Sequence, residues 1–183
     1  MRKLVHAELL QRRLTAEAAR GQADRHPLSF ILHNVRSLYN VGSIFRSADA
    51  LALHELLLCG YTPRPPRSEI AKTALGADEI VPWSGWDSAV DAIRREKQAG
   101  RTVLALELTD AGRPYDDLRP ADFPLTLVLG NELSGIDDDV LAECDGAIEI
   151  PMFGVKHSFN VSVAAGIAGA AAVACWRRLN NNH

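Results

Sequence analysis

Near the C-terminus, the polar residues Lys156, His157, Ser158 and Asn160 fall between an apolar run that reaches Pro151 and a long Ala/Gly-rich segment nearly free of charge. Hydroxyl, amide and amine groups in such a loop could bind and orient a polar ligand, since loops on rigid scaffolds often carry function. The plain alternative is a strand, a loop and a buried helix with no chemistry, and this stretch alone leaves both open. Two upstream residues join the candidates. Asn40 follows a polar turn and has the side chain of a helix N-cap. Arg46 lies inside the helical pattern that follows, where a solvated arginine is the plain reading.

Several chemistries are excluded by what is missing. The chain has no G-x-x-x-x-G-K-[ST] phosphate loop, no G-x-G-x-x-G after its first strand, no G-x-S-x-G elbow and no H-E-x-x-H. His33, His54 and His157 are scattered, and Cys59, Cys144 and Cys175 lack ligand spacing, so no metal site is expected. Three separated cysteines fit packed thiols in a reducing, cytoplasmic setting. Residues 161–176 are apolar but shorter than the roughly 20 residues of a membrane span, and a buried or interface helix is expected there. The net charge of -3 hides an asymmetry: 11 Lys/Arg against 6 Asp/Glu through Lys72, then 9 against 17 beyond it. A basic N-terminal third is suited to meeting phosphate.

The 183 residues, 47% apolar and 23% charged, fit one globular domain with its own core. An amphipathic helix is expected over residues 3–23, from Leu4, Leu10 and Leu14 at helical spacing. Strands are expected at 28–33, 55–59, 79–81, 102–108, 125–129 and 147–150, with helices opening at Asn40, at Ser68, near Asp87 and at Asp137. This alternation predicts an α/β, Rossmann-like, mostly parallel six-stranded sheet with helices on both faces. Ligands in such sheets lie beyond the carboxyl ends of the strands. The loops starting at Leu108, Gly130 and Pro151, and the turn after the first strand, are therefore the expected site.

Three segments carry a resemblance. NVGSIFRSADA from Asn40, LGNELSG from Leu129 to Gly135, and IPMFG from Ile150 with SFNVS from Ser158 together resemble the three motifs of the SpoU branch of the SPOUT methyltransferases. KTALGA from Lys72 to Ala77 is also similar, and the resemblance runs from about Leu28 to Trp176. It implies an S-adenosylmethionine-dependent methyltransferase acting on a ribose 2′-hydroxyl of tRNA or rRNA, built as a homodimer with a deep C-terminal trefoil knot. The implied division is a helical extension over 1–26 and a knotted domain over 27–183. A knotted RNA-binding module without catalysis is the rival reading.

Carried over by motif, Asn40, Arg46, Glu132, Ser158 and Asn160 are expected at the reaction centre. Cofactor contacts are expected from Leu106, Glu107, Leu108, Gly130, Ile150, Met152, Ser158 and Asn160, much of them through backbone. Phe159 stands where the resemblance leads one to expect leucine. A guanidinium stays protonated at neutral pH, so Arg46 is expected to position a phosphate and stabilise developing alkoxide rather than act as a base. Glu132 is expected to orient Arg46 or Asn40.

Overall fold

Seven parallel strands form one sheet in the order β3-β2-β1-β6-β4-β7-β5. They are β1 (His26–His33), β2 (Leu53–Cys59), β3 (Trp83–Trp86), β4 (Thr102–Leu106), β5 (Arg113–Pro114), β6 (Leu125–Leu129) and β7 (Gly146–Glu149). The helices are α1 (Leu38–Ala50), α2 (Ser68–Ala74), α3 (Ala77–Ile80), α4 (Ala89–Gln98), α5 (Asp138–Glu143) and α6 (Val161–Asn180). The structure, a computed structural model, describes residues 2–5, 7–8 and 25–180. Most of the helix expected over 3–23 lies outside the described residues.

The central strands are apolar on both faces, as strands covered by helices on each side must be. Phe30, Leu32, Leu56, Leu58 and Leu127 pack with Ile44, Phe45 and Ala168 under α1, α2 and α6. Ile31, Leu57, Val103 and Val128 point the other way, against Ala92, Ile93 and Val140 of α4 and α5. Small residues set the helix spacing. A Cβ on Gly42 would lie 2.3 Å from the Ile70 carbonyl oxygen, so α1 and α2 touch backbone to side. One on Gly169 would lie 2.9 Å from both Leu51 and Phe30, which seats α6 against α1 and β1. All three cysteines are free, with Cys59 and Cys175 buried. No described helix is long and apolar enough to cross a membrane.

The α/β class and parallel sheet stand, with three corrections. The sheet has seven strands, not six, because Arg113–Pro114 pairs with Ile148 and Glu149 at the outer edge. A two-residue edge strand containing proline leaves no alternation to read, and an edge is where proline is tolerated. The strand expected at 79–81 is the end of α3 and the turn after it; the true strand is Trp83–Trp86, paired with Leu56–Cys59. Leu75 (φ 53) and Gly76 (φ 88) turn the chain left-handed after α2 and restart it as one helical turn. Asp78 and Glu79 suit the first turn of that helix. Finally, Ser37 caps α1, its side chain accepting from the Asn40 amide at 3.3 Å. The Asn40 side chain is thereby free for another role.

Candidate active site

The carboxyl ends of β4, β6 and β7 open into a cavity of about 650 Å³, closed on one side by the first turn of α6. That is the size of clefts that take cofactors, about 300–1,000 Å³. Leu106, Glu107, Leu108, Gly130, Ile150, Met152, Ser158 and Asn160, the eight residues expected at a cofactor, all line it. His157, read from the sequence as a packing or solvated residue, lines it as well.

The loop after β6 owes its shape to glycine and one amide. A Cβ on Gly130 would sit 2.4 Å from the carbonyl carbon of Gly135, so only glycine lets the loop fold back on itself. Gly135 takes φ +70, a conformation that favours glycine. Asn131 and Gly135 exchange backbone hydrogen bonds of 2.9 and 3.0 Å. Asn131 is buried, and its Oδ1 accepts from the Leu133 and Ser134 amides while its Nδ2 donates to the Asn34 carbonyl and the Tyr61 hydroxyl. Glu107 ties this loop to the end of β4. Its carboxylate accepts from the Leu108 amide at 3.0 Å and the Ile136 amide at 3.2 Å.

Next to the cavity runs a chain of three side chains from distant parts of the sequence. Asn160 Nδ2 donates to Asn40 Oδ1 at 3.0 Å, and Asn40 Nδ2 donates to Glu132 Oε1 at 2.8 Å. The ends of the chain are fixed. Glu132 also accepts from the Arg36 amide at 2.9 Å and the Ser37 amide at 3.1 Å. Asn160 Oδ1 accepts from the Ser162 amide and hydroxyl at the start of α6. Burial alone would raise the Glu132 pKa. The donors at Arg36, Asn40 and Ser37 outweigh it and hold the carboxyl below the ordinary glutamate value. Glu132 is thus an ionised acceptor that fixes the Asn40 amide, a role in positioning rather than in taking a proton.

The structure brings Asn40, Glu132 and Asn160 together, and Ser158 lines the same cavity. It does not bring Arg46. Six residues past Asn40, Arg46 is about 240° further round the helix. It is exposed and has no hydrogen bond or ion pair with the described residues. Of the two partners expected for Glu132, the carboxylate takes Asn40. Asn131 is the organising residue that spacing could not reveal, because its partner Asn34 lies 97 residues away; Glu107, expected at a cofactor, also ties the loop to β4 through Ile136. Among the described residues, no group of three or more His, Cys, Asp or Glu is placed to hold a metal ion.

Comparison with known proteins gives a consistent picture. The profile of the SpoU rRNA Methylase family matches residues 27–170. A tRNA (guanosine(18)-2'-O)-methyltransferase of Thermus thermophilus is 33% identical over 162 residues, covering 87% of this chain and 79% of that protein. The 23S rRNA (guanosine-2'-O-)-methyltransferase RlmB of Ralstonia nicotianae is 32% identical over 163 residues, covering 88% and 64%. Among solved structures, the AdoMet-bound rRNA methyltransferase from Sinorhizobium meliloti superposes with a TM-score of 0.74 at 29% identity, covering 84% of this chain and 59% of that one. The chain therefore spans less than two thirds of the length of the last two.

Proposed function

This chain belongs to the SpoU rRNA Methylase family, and on that premise we propose that it methylates a ribose 2′-hydroxyl of tRNA or rRNA with S-adenosylmethionine. The observation that carries this reading is the junction of a cofactor-sized cavity with the Asn160–Asn40–Glu132 chain. The cavity suits the cofactor in size, and its wall includes the loop at Gly130, which packs on the Gly135 backbone with no room for a side chain. Leu106, Glu107, Leu108, Gly130, Ile150 and Met152 would hold it, with Ser158 and Asn160 at its reactive end. When bound, the cofactor would supply an electrophilic methyl group on a sulfonium.

Everything else falls to the chain's own residues. The Asn40 and Asn160 amides, fixed by their shared hydrogen bond, orient the acceptor ribose. Glu132 stays ionised and holds Asn40 against the turn at Arg36 and Ser37. Arg46 positions the phosphate beside the target and stabilises negative charge developing on the oxygen. Its place on the outward face of α1 keeps it from the cavity of its own chain, and a homodimer is the arrangement that closes this gap. The reading includes a knotted C-terminus. It is supported by the close seating of α6 through Gly169 and by the contact of Cys175 and Trp176 with Leu118 and Phe123. It places the protein in the cytoplasm with its RNA.

The test is methyl transfer to RNA from a strain lacking this protein, followed by nuclease digestion and nucleoside mass spectrometry. A 2′-O-methylated nucleoside at one mapped position is expected; failure to bind S-adenosylmethionine or to methylate refutes the reading. Arg46→Lys keeps the charge and loses the fork, so it should lose most turnover while cofactor binding survives. Near-normal turnover in that variant would remove Arg46 from the reaction.

A further inference from the structure

One exposed ring is held in place more firmly than packing requires. Tyr61 follows Gly60 (φ +62), and its amide donates to Asn34 Oδ1 at 3.3 Å. The next residue, Thr62, is buried; its hydroxyl donates to the Leu32 carbonyl at 2.8 Å and accepts from the Val35 amide at 3.0 Å. At its far end, the Tyr61 hydroxyl accepts from Asn131 Nδ2 at 2.8 Å. The ring is fixed at both ends, yet the residue is 60% exposed. A tyrosine anchored this way has given up its freedom without burying its face. Nor does Asn131 depend on it, since the same Nδ2 also donates to the Asn34 carbonyl at 2.8 Å.

Two other exposed groups hang from Asn131 and its neighbour Glu132. Asn131 Oδ1 holds the Leu133 amide at 2.8 Å, and Leu133 is 80% exposed. Glu132 holds the Arg36 amide, and the exposed Arg36 side chain has no ion pair among the described residues. An exposed ring, an exposed apolar residue and an exposed arginine are thus all tied by hydrogen bonds to the loop that fixes Asn40. Such a set matches an unstacked nucleotide, whose base lies on an aromatic face and whose phosphate meets arginine.

We propose that Tyr61 is the stacking platform for a base flanking the methylated ribose, with Arg36 taking an adjoining phosphate. This rests on the reading of the site as an RNA methyltransferase centre. Every base has a π-face, so the platform selects for a splayed, single-stranded neighbour rather than for a particular base. The target would then lie in a loop or other unpaired stretch of RNA.

The experiment compares wild type, Tyr61→Leu and Tyr61→Phe in steady-state methylation of RNA from a strain lacking this protein, with S-adenosylmethionine affinity measured by calorimetry. Loss of the stack in Tyr61→Leu should raise KM for RNA about tenfold while kcat and cofactor affinity hold. Tyr61→Phe, which restores the ring, should bring KM back to within about threefold of wild type. An unchanged KM in Tyr61→Leu, with wild type active, overturns the platform and leaves the enzyme reading intact. A Tyr61→Phe variant as impaired as Tyr61→Leu also overturns it, since the hydroxyl anchor would then be what matters. A wild-type protein that transfers no methyl refutes the enzyme reading itself, and the platform with it.

Discussion

Glu132→Gln removes one charge and one acceptor from the centre of the site with almost no change in shape. The carboxylate takes three donors: the Arg36 amide on Oε2, and the Ser37 amide with Asn40 Nδ2 on Oε1. A glutamine can place its NH₂ at either oxygen. Keeping its oxygen toward Ser37 and Asn40 sacrifices one bond, the one to Arg36, and weakens the other two from charge-assisted to neutral. A hydrogen bond to a charged group contributes about 1.5–3 kcal/mol, but Arg36 is exposed and water can reach its freed amide. The expected loss is therefore about 2 kcal/mol, or a Tm lower by about 4–8 °C in a protein of this size. The pH dependence has a definite sign. Because the folded-state pKa is lowered, the carboxylate's contribution is complete above the unfolded value of about 4.3 and disappears as pH falls through the folded value. Thermal and urea unfolding of both proteins at pH 7 and at lower pH would show the gap closing in acid. Equal stability at pH 7, or a gap that persists in acid, refutes the account of Glu132 as an ionised anchor.

Gly130→Ala drives a methyl group into the Gly135 backbone; the loop must open, and S-adenosylmethionine affinity measured by calorimetry should fall about 5- to 150-fold, as overpacking by about 1–3 kcal/mol implies. Glu96, 2% exposed, accepts from Thr126 Oγ1 at 2.6 Å and pairs with the largely buried Arg101 at 3.0 Å. Glu96→Ala strands that guanidinium, and denaturant unfolding should record a loss of about 3–5 kcal/mol.

Different parts of the molecule were legible for different physical reasons. Leu125–Leu129 and the central part of β1 declare themselves as strands because continuous apolar runs can only be satisfied between two helical layers. Trp83–Trp86 does not, being short, half-exposed and interrupted by glycine. Arg113–Pro114 is defined only by its partner β7. At the site, Asn40, Glu132 and Asn160 are expected together from their motifs, and hydrogen bonds join them in one cluster. Arg46 stays apart from that cluster within this chain, and motif membership carries no information on which side of a helix a residue occupies. The Ser37 cap was missed because Asn40 and Ser37 are both good capping residues, and only the backbone shows where the helix starts. Asn131 offers no local signal, since it organises the loop through a bond across 97 residues.

The Asn40–Glu132 and Asn40–Asn160 bonds, which span 92 and 120 residues, also carry a schedule. As the chain is synthesised at about 5–20 residues per second, Asn40 emerges roughly 6–24 s before Asn160 exists. Until then the Asn40 amide lacks its second anchor and the cavity lacks the wall formed by α6. High contact order makes such closures late events in folding as well. A chain ending just before Asn160 would hold every strand of the sheet yet lack the cavity wall and the second anchor of Asn40. The site's long reach in sequence thus leaves unfinished protein without the assembled Asn160–Asn40–Glu132 chain.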